Sequence, residues 1–419
     1  FALAINTNVD SVAFLVNDVE GGNATVGTIT TDGLYQAPAV VPAFSVPAKL
    51  CENAGRSKII ERKQLGIAVV GSGRIGTLRA RLAADHPAVR FIAVSDLDEG
   101  AAKKLAQQVG AQVCSSDNRA IIAHPEINAV IVSTSEGEHL EAVLAAIELG
   151  KPVLVEKPIA LNVADADRII AAAAKAGVEV RVGYSRRYKE RYLLAKEQIE
   201  QGRIGEIIGG AARVYNSRSQ ALAMLKRNPG ATPVVDALTY YVDLMNWFLD
   251  GGAPAEVYAR GQKGVLKAAG HDVDDVNWAI LTYASGAVVN LGVCYALPEK
   301  YPSLGHAARV EIRGTEGVMI LDDDHTDQLM YSEKGVPHVY LPDHTVNMVF
   351  LGSGTPGEWA LGDFWGPIAN ETRAWLDHLA TGKRCVLATP QEARINLETT
   401  LAIELAAEDG RQVKLPLSS

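Results

Sequence analysis

An acid and a base lie side by side at the end of an apolar run in the sequence VLVEKP, which covers residues 153–158. The run predicts a buried strand, and this strand must end here because Pro158 cannot extend a central β-ladder. When its surroundings favour the neutral amine, Lys157 can accept or return the proton of a substrate hydroxyl. The pair of Glu156 and Lys157 therefore predicts either proton transfer at a strand tip or a solvated strand end.

A second group of residues whose types and spacing suit a chemical function is the glycine-rich turn VVGSGRIG, which has GxGxxG spacing. The turn follows a predicted strand and opens a predicted helix, the context in which it binds a dinucleotide. The first glycine permits the tight turn, the second lets backbone amides approach a pyrophosphate, and the third allows close helix packing. We expect the dinucleotide to be contacted by Gly71, Gly73, Arg74, Ile75 and Gly76.

The second predicted strand ends at Asp96. A carboxylate at this position accepts hydrogen bonds from the adenosine ribose hydroxyls and repels a 2′-phosphate, so NAD is predicted in preference to NADP. Arg74 is the competing signal, because an arginine in the loop either accommodates such a phosphate or is a solvated surface residue.

The elements that must position these residues alternate strictly between strands and helices from residue 65 to residue 187. Continuous apolar strands in such an order predict a parallel sheet covered on both faces. After residue 188 longer strand-like runs follow one another. The predicted fold class is therefore α/β, with a Rossmann doubly wound sheet over 65–187 and an α+β domain with a large, mostly antiparallel open sheet over 188–419.

Polar residues after the fourth strand of the predicted parallel sheet lie at the edge where such sheets bind ligands. We expect Ser133, Thr134 and His139 to pass near the nicotinamide ribose and the pyrophosphate. The alternative for His139 is a position on a helix surface.

The last strand of the same sheet ends at Tyr184, Arg186 and Arg187 and faces the crevice between the domains. One arginine is expected to contact cofactor or substrate and the other to be solvated. We select Tyr184 and Arg187 as substrate contacts, with Asn277 on the second sheet as a third. Its neighbour Trp278 either lines that sheet or packs within it.

The composition excludes several classes of protein. A formal net charge of −9 offers no basic surface for nucleic acid or an anionic membrane, and no apolar run reaches the ~18 residues of a membrane span. The four cysteines lie far apart without a CxxC pair and the nine histidines are scattered, so we predict no metal site and no disulfide scaffold. This cysteine usage also predicts a reducing, cytoplasmic location.

Residues 1–64 differ from the rest of the chain, since no Lys or Arg precedes Lys49. The stretch GGNATVGTITTDGLYQAPA is similar to the second half of a bacterial immunoglobulin-like domain, which is too short for a core of its own. We expect 1–64 to be an extension and linker outside the core of the protein. A cell-surface binding module is the alternative.

Several motifs together carry a family resemblance: GIAVVGSGRIG, STSEGEH, VEKP, VGYSRRY, DALTYYVD, RGTEGVMILD and ELAAEDGRQVKLPL. On these, residues 65 to 419 resemble the glucose-fructose oxidoreductase / inositol dehydrogenase / rhizopine catabolism family (Gfo/Idh/MocA) of NAD(P)-dependent sugar and polyol dehydrogenases. The resemblance implies a hydride transfer between the secondary alcohol of a sugar, cyclitol or related polyol and the nicotinamide, with Glu156 and Lys157 beside the cofactor.

The resemblance also implies a catalytic set. Lys157 would be the essential acid/base residue, and Asp236 and Tyr240 would complete the site from one face of a helix, because they lie four residues apart. Many relatives have histidine at the position of Tyr240, whereas glucose-fructose oxidoreductase and the dimeric dihydrodiol dehydrogenases have tyrosine. Tyr241 is the immediate alternative to Tyr240, and a core position for Tyr240 is another. Whether Lys157 or Tyr240 moves the proton is open at this point.

Other activities remain as alternatives. They are a trans-dihydrodiol dehydrogenase, a glycosidase that uses bound NAD without net NADH production, and a regulator that binds the dinucleotide without turnover. A pure binding protein need not keep Lys157, Asp236 and Tyr240, which argues against the last. An open antiparallel sheet leaves one apolar face needing a partner, so we expect a homodimer or homotetramer.

Overall fold

The computed structural model describes residues 62–417 apart from 300, 302–306, 323–328, 338–344 and 351–356. Ahead of residue 62 it describes only short strands, and the chain divides into two compact units, 1–61 and 62–419. The first unit contains β1 Ile5–Asn8, β2 Ser11–Val16, β3 Val19–Glu20, β4 Gly22–Asn23, β5 Gly27–Ile29 and β6 Tyr35–Gln36. The predicted immunoglobulin-like resemblance and the linker otherwise lie outside the described residues.

Six parallel strands open the second unit, and they confirm the predicted Rossmann sheet. They are β7 Leu65–Val70, β8 Val89–Ser95, β9 Val113–Ser115, β10 Ala129–Val132, β11 Val153–Glu156 and β12 Val180–Gly183. Their order in the sheet is β12-β11-β10-β7-β8-β9, with every neighbouring pair parallel. The strand order reverses between β7 and β10, and ligands of such sheets bind outside the carboxyl ends at this point.

The helices between these strands cover both faces of the sheet. They are α1 Arg74–Ala84, α2 Glu99–Val109, α3 Asn118–Ala123, α4 His139–Glu148 and α5 Val163–Ala176. Alternate strand residues pack on opposite sides, so that Val130 joins the core beneath α3, α4 and α5 while Ile131 joins the core beneath α1 and α2. This two-sided burial explains why the strands are apolar throughout.

A seven-stranded sheet, which we call the second sheet, follows the Rossmann sheet, as the longer strand patterns predicted. Its strands are β13 Ile207–Ser217, β14 Pro254–Gln262, β15 Val276–Tyr283, β16 Val288–Leu297, β17 Ala307–Gly314, β18 Val318–Asp322 and β23 Val413–Lys414. They lie in the order β18-β17-β13-β16-β15-β14-β23, and all neighbours are antiparallel except β13 and β16. Short hairpins add β19 Leu329–Pro337 with β20 Thr345–Phe350, and β21 Glu358–Ala360 with β22 Asp363–Trp365.

One face of the second sheet is covered and the other is exposed. The covered face packs against helices that include α6 Glu190–Glu200 and α8 Thr239–Phe248. The helices α7 Arg218–Arg227 and α9 Val265–Ala268 also contribute to this core, through side chains such as Met224 and Leu266. The opposite face, which we call the outer sheet face, carries exposed apolar side chains of Tyr258, Trp278, Ile280, Val288, Val318 and Ile320.

Two carboxyl-terminal helices return to the Rossmann sheet. The helix α10, Pro367–Thr381, buries Trp375 in the core beneath α1. The helix α11, Pro390–Asp409, buries Leu397 beside α5, and further along it buries Ile403 in the core of the second sheet. The predicted second domain spans all of 188–419; within it α10 packs on the Rossmann core, and α11 packs on the cores of both sheets. None of the helices in the described part of the chain is long and apolar enough to cross a bilayer.

Candidate active site

A cavity of about 510 Å³ lies at the carboxyl ends of the Rossmann strands, between the glycine turn and the second sheet. The helix α7 and the strand β16 contribute to its far wall, through residues such as Gln220 and Tyr295. Ten of the residues selected from the sequence line it, namely Gly73, Arg74, Ile75, Ser133, Thr134, His139, Glu156, Lys157, Asp236 and Tyr240. The predicted strand tips therefore meet around one space.

The glycine turn has the local geometry that its spacing predicted. Gly71 has a φ of +97°, a backbone angle that residues other than glycine rarely adopt. A Cβ at Gly76 would lie 1.8 Å from the Gly71 carbonyl oxygen. A Cβ at Gly73, by contrast, would meet no atom within 4 Å. Gly73 also caps α1, so the first backbone amides of that helix adjoin the open space. The turn thus has room for a pyrophosphate beside a helix N-terminus.

A smaller cavity of about 170 Å³ adjoins the turn and is lined by Gly71, Gly73, Asp96 and Ser133 among others. One carboxylate oxygen of Asp96 accepts a hydrogen bond from Ser72 N at 2.7 Å, and the other accepts one from Asp98 N at 2.9 Å. Each carboxylate oxygen has a further lone pair, so Asp96 can hold the turn and still accept ribose hydroxyls. The buried Ser133 Oγ has no hydrogen-bond partner within the described residues, which suits a polar ligand between the two cavities.

His139 begins α4 and is almost fully buried. Its Nδ1 lies 2.8 Å from the carbonyl oxygen of Pro158, and its Nε2 lies 3.3 Å from that of Thr134. Burial lowers the pKa of the imidazole, so the ring is neutral at neutral pH. His139 is therefore not a surface residue. A neutral imidazole carries one N–H, and at the shorter of the two distances it donates from Nδ1 to Pro158, which ties the start of α4 to the residue that follows Lys157.

Lys157 lies at the tip of β11, and the bond that joins it to Pro158 is cis. Its Nζ donates to the carbonyl oxygens of Asp236 at 3.1 Å and Val235 at 3.4 Å. The ammonium also lies 5.1 Å from the centre of the Tyr240 ring. The lysine therefore crosses from the Rossmann sheet to the second domain inside the cavity, rather than ending in solvent.

Asp236 lies in a π-helical turn, Val234–Leu238, that leads directly into α8. Its carboxylate accepts a hydrogen bond from the hydroxyl of Tyr295, and its backbone amide donates to the carbonyl oxygen of Thr232 at 2.9 Å. Such turns occur often at functional sites, where the displaced helical pattern leaves carbonyl groups for other partners. Here the carbonyl oxygens of Val235 and Asp236 receive the lysine.

Tyr240 follows in the first turn of α8, four residues after Asp236, and both side chains reach the cavity. Its ring meets that of Tyr184 edge-on at 6.2 Å, and the guanidinium of Arg186 lies 4.5 Å from its centre. Burial raises the pKa of the Tyr240 hydroxyl, and although Arg186 opposes this rise, nearby carboxylates reinforce it. Tyr240 is thus protonated at neutral pH. The neighbouring Tyr241 is fully buried and does not line the cavity.

Three sequence-selected substrate contacts lie outside the cavity. Arg187 is not in the crevice but buried, with Nη2 2.7 Å from an Asp243 oxygen and Nη1 3.1 Å from Glu392. It therefore joins the segment after β12 to α8 and α11. Tyr184 is buried behind Tyr240, and Asn277 is buried with its amide donating to Asp274 at 2.8 Å. The cavity is lined instead by Arg186, so that Arg186 and not Arg187 lies where a substrate contact is expected.

Several lining residues were not predicted from the sequence, among them Asn216, Gln220, Arg227 and Tyr295. Tyr295 is the most informative of them because it holds Asp236 directly. Alternation along β16 indicates that Tyr295 faces the core side, together with Val293. No local pattern indicates that this side opens onto a cavity at the end of the strand.

Comparison with known proteins gives two family matches. A family described as "Oxidoreductase family, NAD-binding Rossmann fold" (GFO_IDH_MocA) matches residues 65–184, and the "GFO/IDH/MocA C-terminal domain" matches residues 192–320. The two matches fall on the Rossmann sheet and on most of the second sheet. Residues 185–191, which include Arg186 and Arg187, lie between the two matches.

Individual relatives agree with these matches. The chain is 28% identical to myo-inositol 2-dehydrogenase of Thermotoga maritima over 64% of this chain and 79% of that one. It is 31% identical to inositol 2-dehydrogenase of Acidothermus cellulolyticus over 62% of this chain and 73% of that one. The crystal structure of scyllo-inositol dehydrogenase from Lactobacillus casei, with bound NAD(H) and scyllo-inositol, superposes with a TM-score of 0.69 over 84% of this chain and 99% of that one, at 21% identity. This last match concerns the fold.

Proposed function

Because this chain belongs to the GFO/IDH/MocA family of NAD-binding oxidoreductases, we propose that it oxidises a secondary alcohol of a cyclitol, sugar or related polyol with NAD. One observation carries the proposal for the site. Lys157, Asp236 and Tyr240 reach the same cavity as the glycine turn that is built to receive a dinucleotide. The relatives named as inositol dehydrogenases make a cyclitol the first substrate to test.

Lys157 is the residue that takes the proton from the substrate hydroxyl. A neutral lysine amine keeps two N–H bonds, and the carbonyl oxygens of Val235 and Asp236 provide two acceptors for them. The remaining lone pair is then available for the hydroxyl proton, as general base catalysis requires. The same contacts hold the amine in one orientation, which a flexible side chain at a solvated strand tip would lack.

Tyr240 and Asp236 orient the substrate. Since the raised pKa of Tyr240 keeps its hydroxyl protonated, this residue donates a hydrogen bond to the substrate oxygen and is not the base. Asp236 accepts from a neighbouring substrate hydroxyl, and its own position is set by Tyr295. We therefore propose that Lys157, and not Tyr240, moves the proton.

NAD fits the residues around the turn. Gly71, Gly73 and the start of α1 would hold its pyrophosphate, Asp96 its adenosine ribose, and Ser133 and Glu156 its nicotinamide half. The space at Gly73 and the unpartnered Ser133 Oγ support this placement. When bound, NAD supplies the acceptor for the hydride that leaves the alcohol carbon.

The test of this proposal is a panel of cyclitols, sugars, sugar acids and dihydrodiols incubated with NAD, with NADH absorbance as the measurement. We expect at least one secondary alcohol to be oxidised by the parent protein and none by Lys157→Ala. Cleavage of a glycoside without net NADH would instead indicate the glycosidase alternative. Binding of NAD without turnover of any alcohol would indicate a regulator.

Further features of the proposal concern the whole chain. We expect a homodimer or homotetramer because the outer sheet face is apolar, and no nucleic-acid or membrane partner because the net charge is negative. The scattered cysteines favour a cytoplasmic location. Residues 65–187 would supply the cofactor site and 188–419 the substrate site and the subunit contact. Residues 1–64 would lie outside the catalytic core.

A further inference from the structure

A buried arginine lies directly behind the acid of the Glu156–Lys157 pair. Arg79 projects from α1 and is fully buried. Its Nε donates to Glu156 Oε1 at 2.8 Å, and its Nη2 lies 2.7 Å from the same oxygen. Glu156 in turn lines the cavity beside Lys157. The planar fork of a guanidinium fixes a carboxylate in a way that a lysine ammonium cannot.

The other side of the same guanidinium is held by α10. Arg79 Nη2 donates to Glu371 Oε2 at 2.5 Å, and Nη1 donates to the hydroxyl of Thr372 at 2.8 Å. Thr372 itself donates to the carbonyl oxygen of Ile368 at 2.7 Å. The fork therefore connects the helix that follows the glycine turn, the strand that ends at Lys157 and a helix near the carboxyl terminus.

The neighbouring strand leaves room for this arrangement. Gly183, on β12, pairs with Glu156 in the sheet. A Cβ at Gly183 would lie 2.9 Å from Arg79 Nη2 and 3.3 Å from Glu156 Oε2. Any side chain at this position would displace the ion pair or the carboxylate. The glycine is thus a second, independent sign that the local structure is arranged around the Arg79–Glu156 contact.

Stability alone is a poor explanation for such a group. Burying one cation with two carboxylates costs desolvation free energy that the ionic attraction often fails to recover, and apolar replacements are frequently as stable. One oxygen of Glu371 also makes no hydrogen bond within the described residues. This buried cluster nevertheless includes Glu156, the residue next to the proposed base Lys157.

We propose that Arg79 is a positioning residue, which fixes Glu156 from behind and thereby holds Lys157 in line with the substrate hydroxyl. This inference rests on the proposed function, since it concerns the same lysine. A base displaced by about 1 Å can cost on the order of 10²-fold in rate, so loss of the fork should affect the chemical step more than cofactor binding.

The experiment compares Arg79→Lys with the parent on the best alcohol of the panel. Lysine keeps the charge but cannot reach Glu156, Glu371 and Thr372 together. We expect kcat to fall by roughly 10- to 100-fold, with NAD affinity, followed by nucleotide fluorescence, unchanged within a few-fold. A substrate deuterated at the oxidised carbon should show a larger isotope effect on kcat than in the parent, because hydride transfer becomes slower.

Two further variants make the result interpretable. Arg181→Lys, on β12, changes another ion-paired arginine, whose Nε lies 2.6 Å from Glu179, outside the cavity. It should leave the isotope effect at the parental value. If Arg79→Lys does not fold, Thr372→Val loosens the fork with little change in shape and should lower kcat by a smaller factor, with the isotope effect again increased.

The outcomes separate this inference from the proposed function. An inactive parent, or an active Lys157→Ala, overturns the proposed function itself. If Lys157→Ala is inactive but the Arg79 or Thr372 variant keeps the parental kcat and isotope effect and loses only thermal stability, the fork is structural and the inference is wrong.

Discussion

Lys157 directs its amine to main-chain carbonyl groups and not to the carboxylate of Asp236, whose Oδ2 is taken by the hydroxyl of Tyr295. This arrangement separates two tasks. The carbonyl oxygens hold the amine without adding a formal negative charge next to it, while the carboxylate is kept for hydroxyl groups of the substrate. In a mobile or solvated lysine, the amine would not be held on carbonyl groups and kept apart from the carboxylate in this way.

The first prediction at this scale concerns Lys157→Ala. Removal of the proposed base should lower kcat by about 10²–10⁴-fold while NAD affinity changes only a few-fold, because general acid–base catalysis acts in the chemical step. Lys157→Arg should fail as well, since a guanidinium stays protonated and cannot accept the proton. Steady-state NADH absorbance and nucleotide binding measure the two effects. Near-parental kcat for Lys157→Ala would exclude the mechanism.

The second prediction concerns Tyr240→Phe. The ring packs against Tyr184 and beneath Arg186, and phenylalanine keeps both contacts. Loss of the hydroxyl should therefore lower the rate with little change in melting temperature. The measurements are kcat and the melting temperature of the same preparation. A lower melting temperature together with an unchanged kcat would mean that the hydroxyl only makes a hydrogen bond within the protein interior.

At the scale of elements, the sequence predicted what depends on local patterns. Alternating strands and helices give the Rossmann order, and strand tips bring Lys157 and Ser133 to one edge because parallel strands end on the same side. The fork at Arg79 escaped prediction because its partner Glu371 is 292 positions away and arrives only when α10 packs on α1. The π-helical turn could not be predicted from the sequence either, because Asp236 and Tyr240 keep the four-residue spacing of a regular helix.

The packing of α10 on α1 yields a prediction about pH. Burial raises the pKa of Glu371 from 4.5 to about 7, against the attraction of Arg79, so the folded protein holds a proton that the unfolded chain releases. Stability should consequently fall as pH rises from about 4.5 to about 7, by on the order of 3 kcal/mol for this group. Glu371→Gln keeps an acceptor for Arg79 and has no proton to lose.

The measurement compares melting temperatures of the parent and Glu371→Gln from about pH 5 to about pH 8. The variant should gain on the parent as the pH rises, and the difference should level off above the folded-state pKa. Because other buried groups titrate in both proteins, only the difference between the two curves is diagnostic. Parallel curves would mean that Glu371 is ionised throughout this range.

At the scale of the whole molecule, the two sheets are covered very differently. The Rossmann sheet is buried on both faces, whereas the helices that pack on the second sheet within the described residues lie on one of its faces. On the outer sheet face Tyr258 lies directly opposite Ile280 across β14 and β15, and both are more than two-fifths exposed. Apolar cross-strand pairs stabilise a sheet when water is excluded from them, so this face is suited to a partner.

The last prediction is that this face joins two copies of the chain. A sheet face is self-complementary under a two-fold axis, which is the commonest symmetry of soluble oligomers. Ile280→Glu would place a charge at its centre and should shift the protein from dimer or tetramer to monomer in sedimentation at micromolar concentration. Leu194→Glu, at an exposed position of α6 on the opposite side of the sheet, is the matched control and should leave the assembly intact. A parent protein that sediments as a monomer would rule out the contact, and an Ile280→Glu variant that assembles like the parent would place it on another surface.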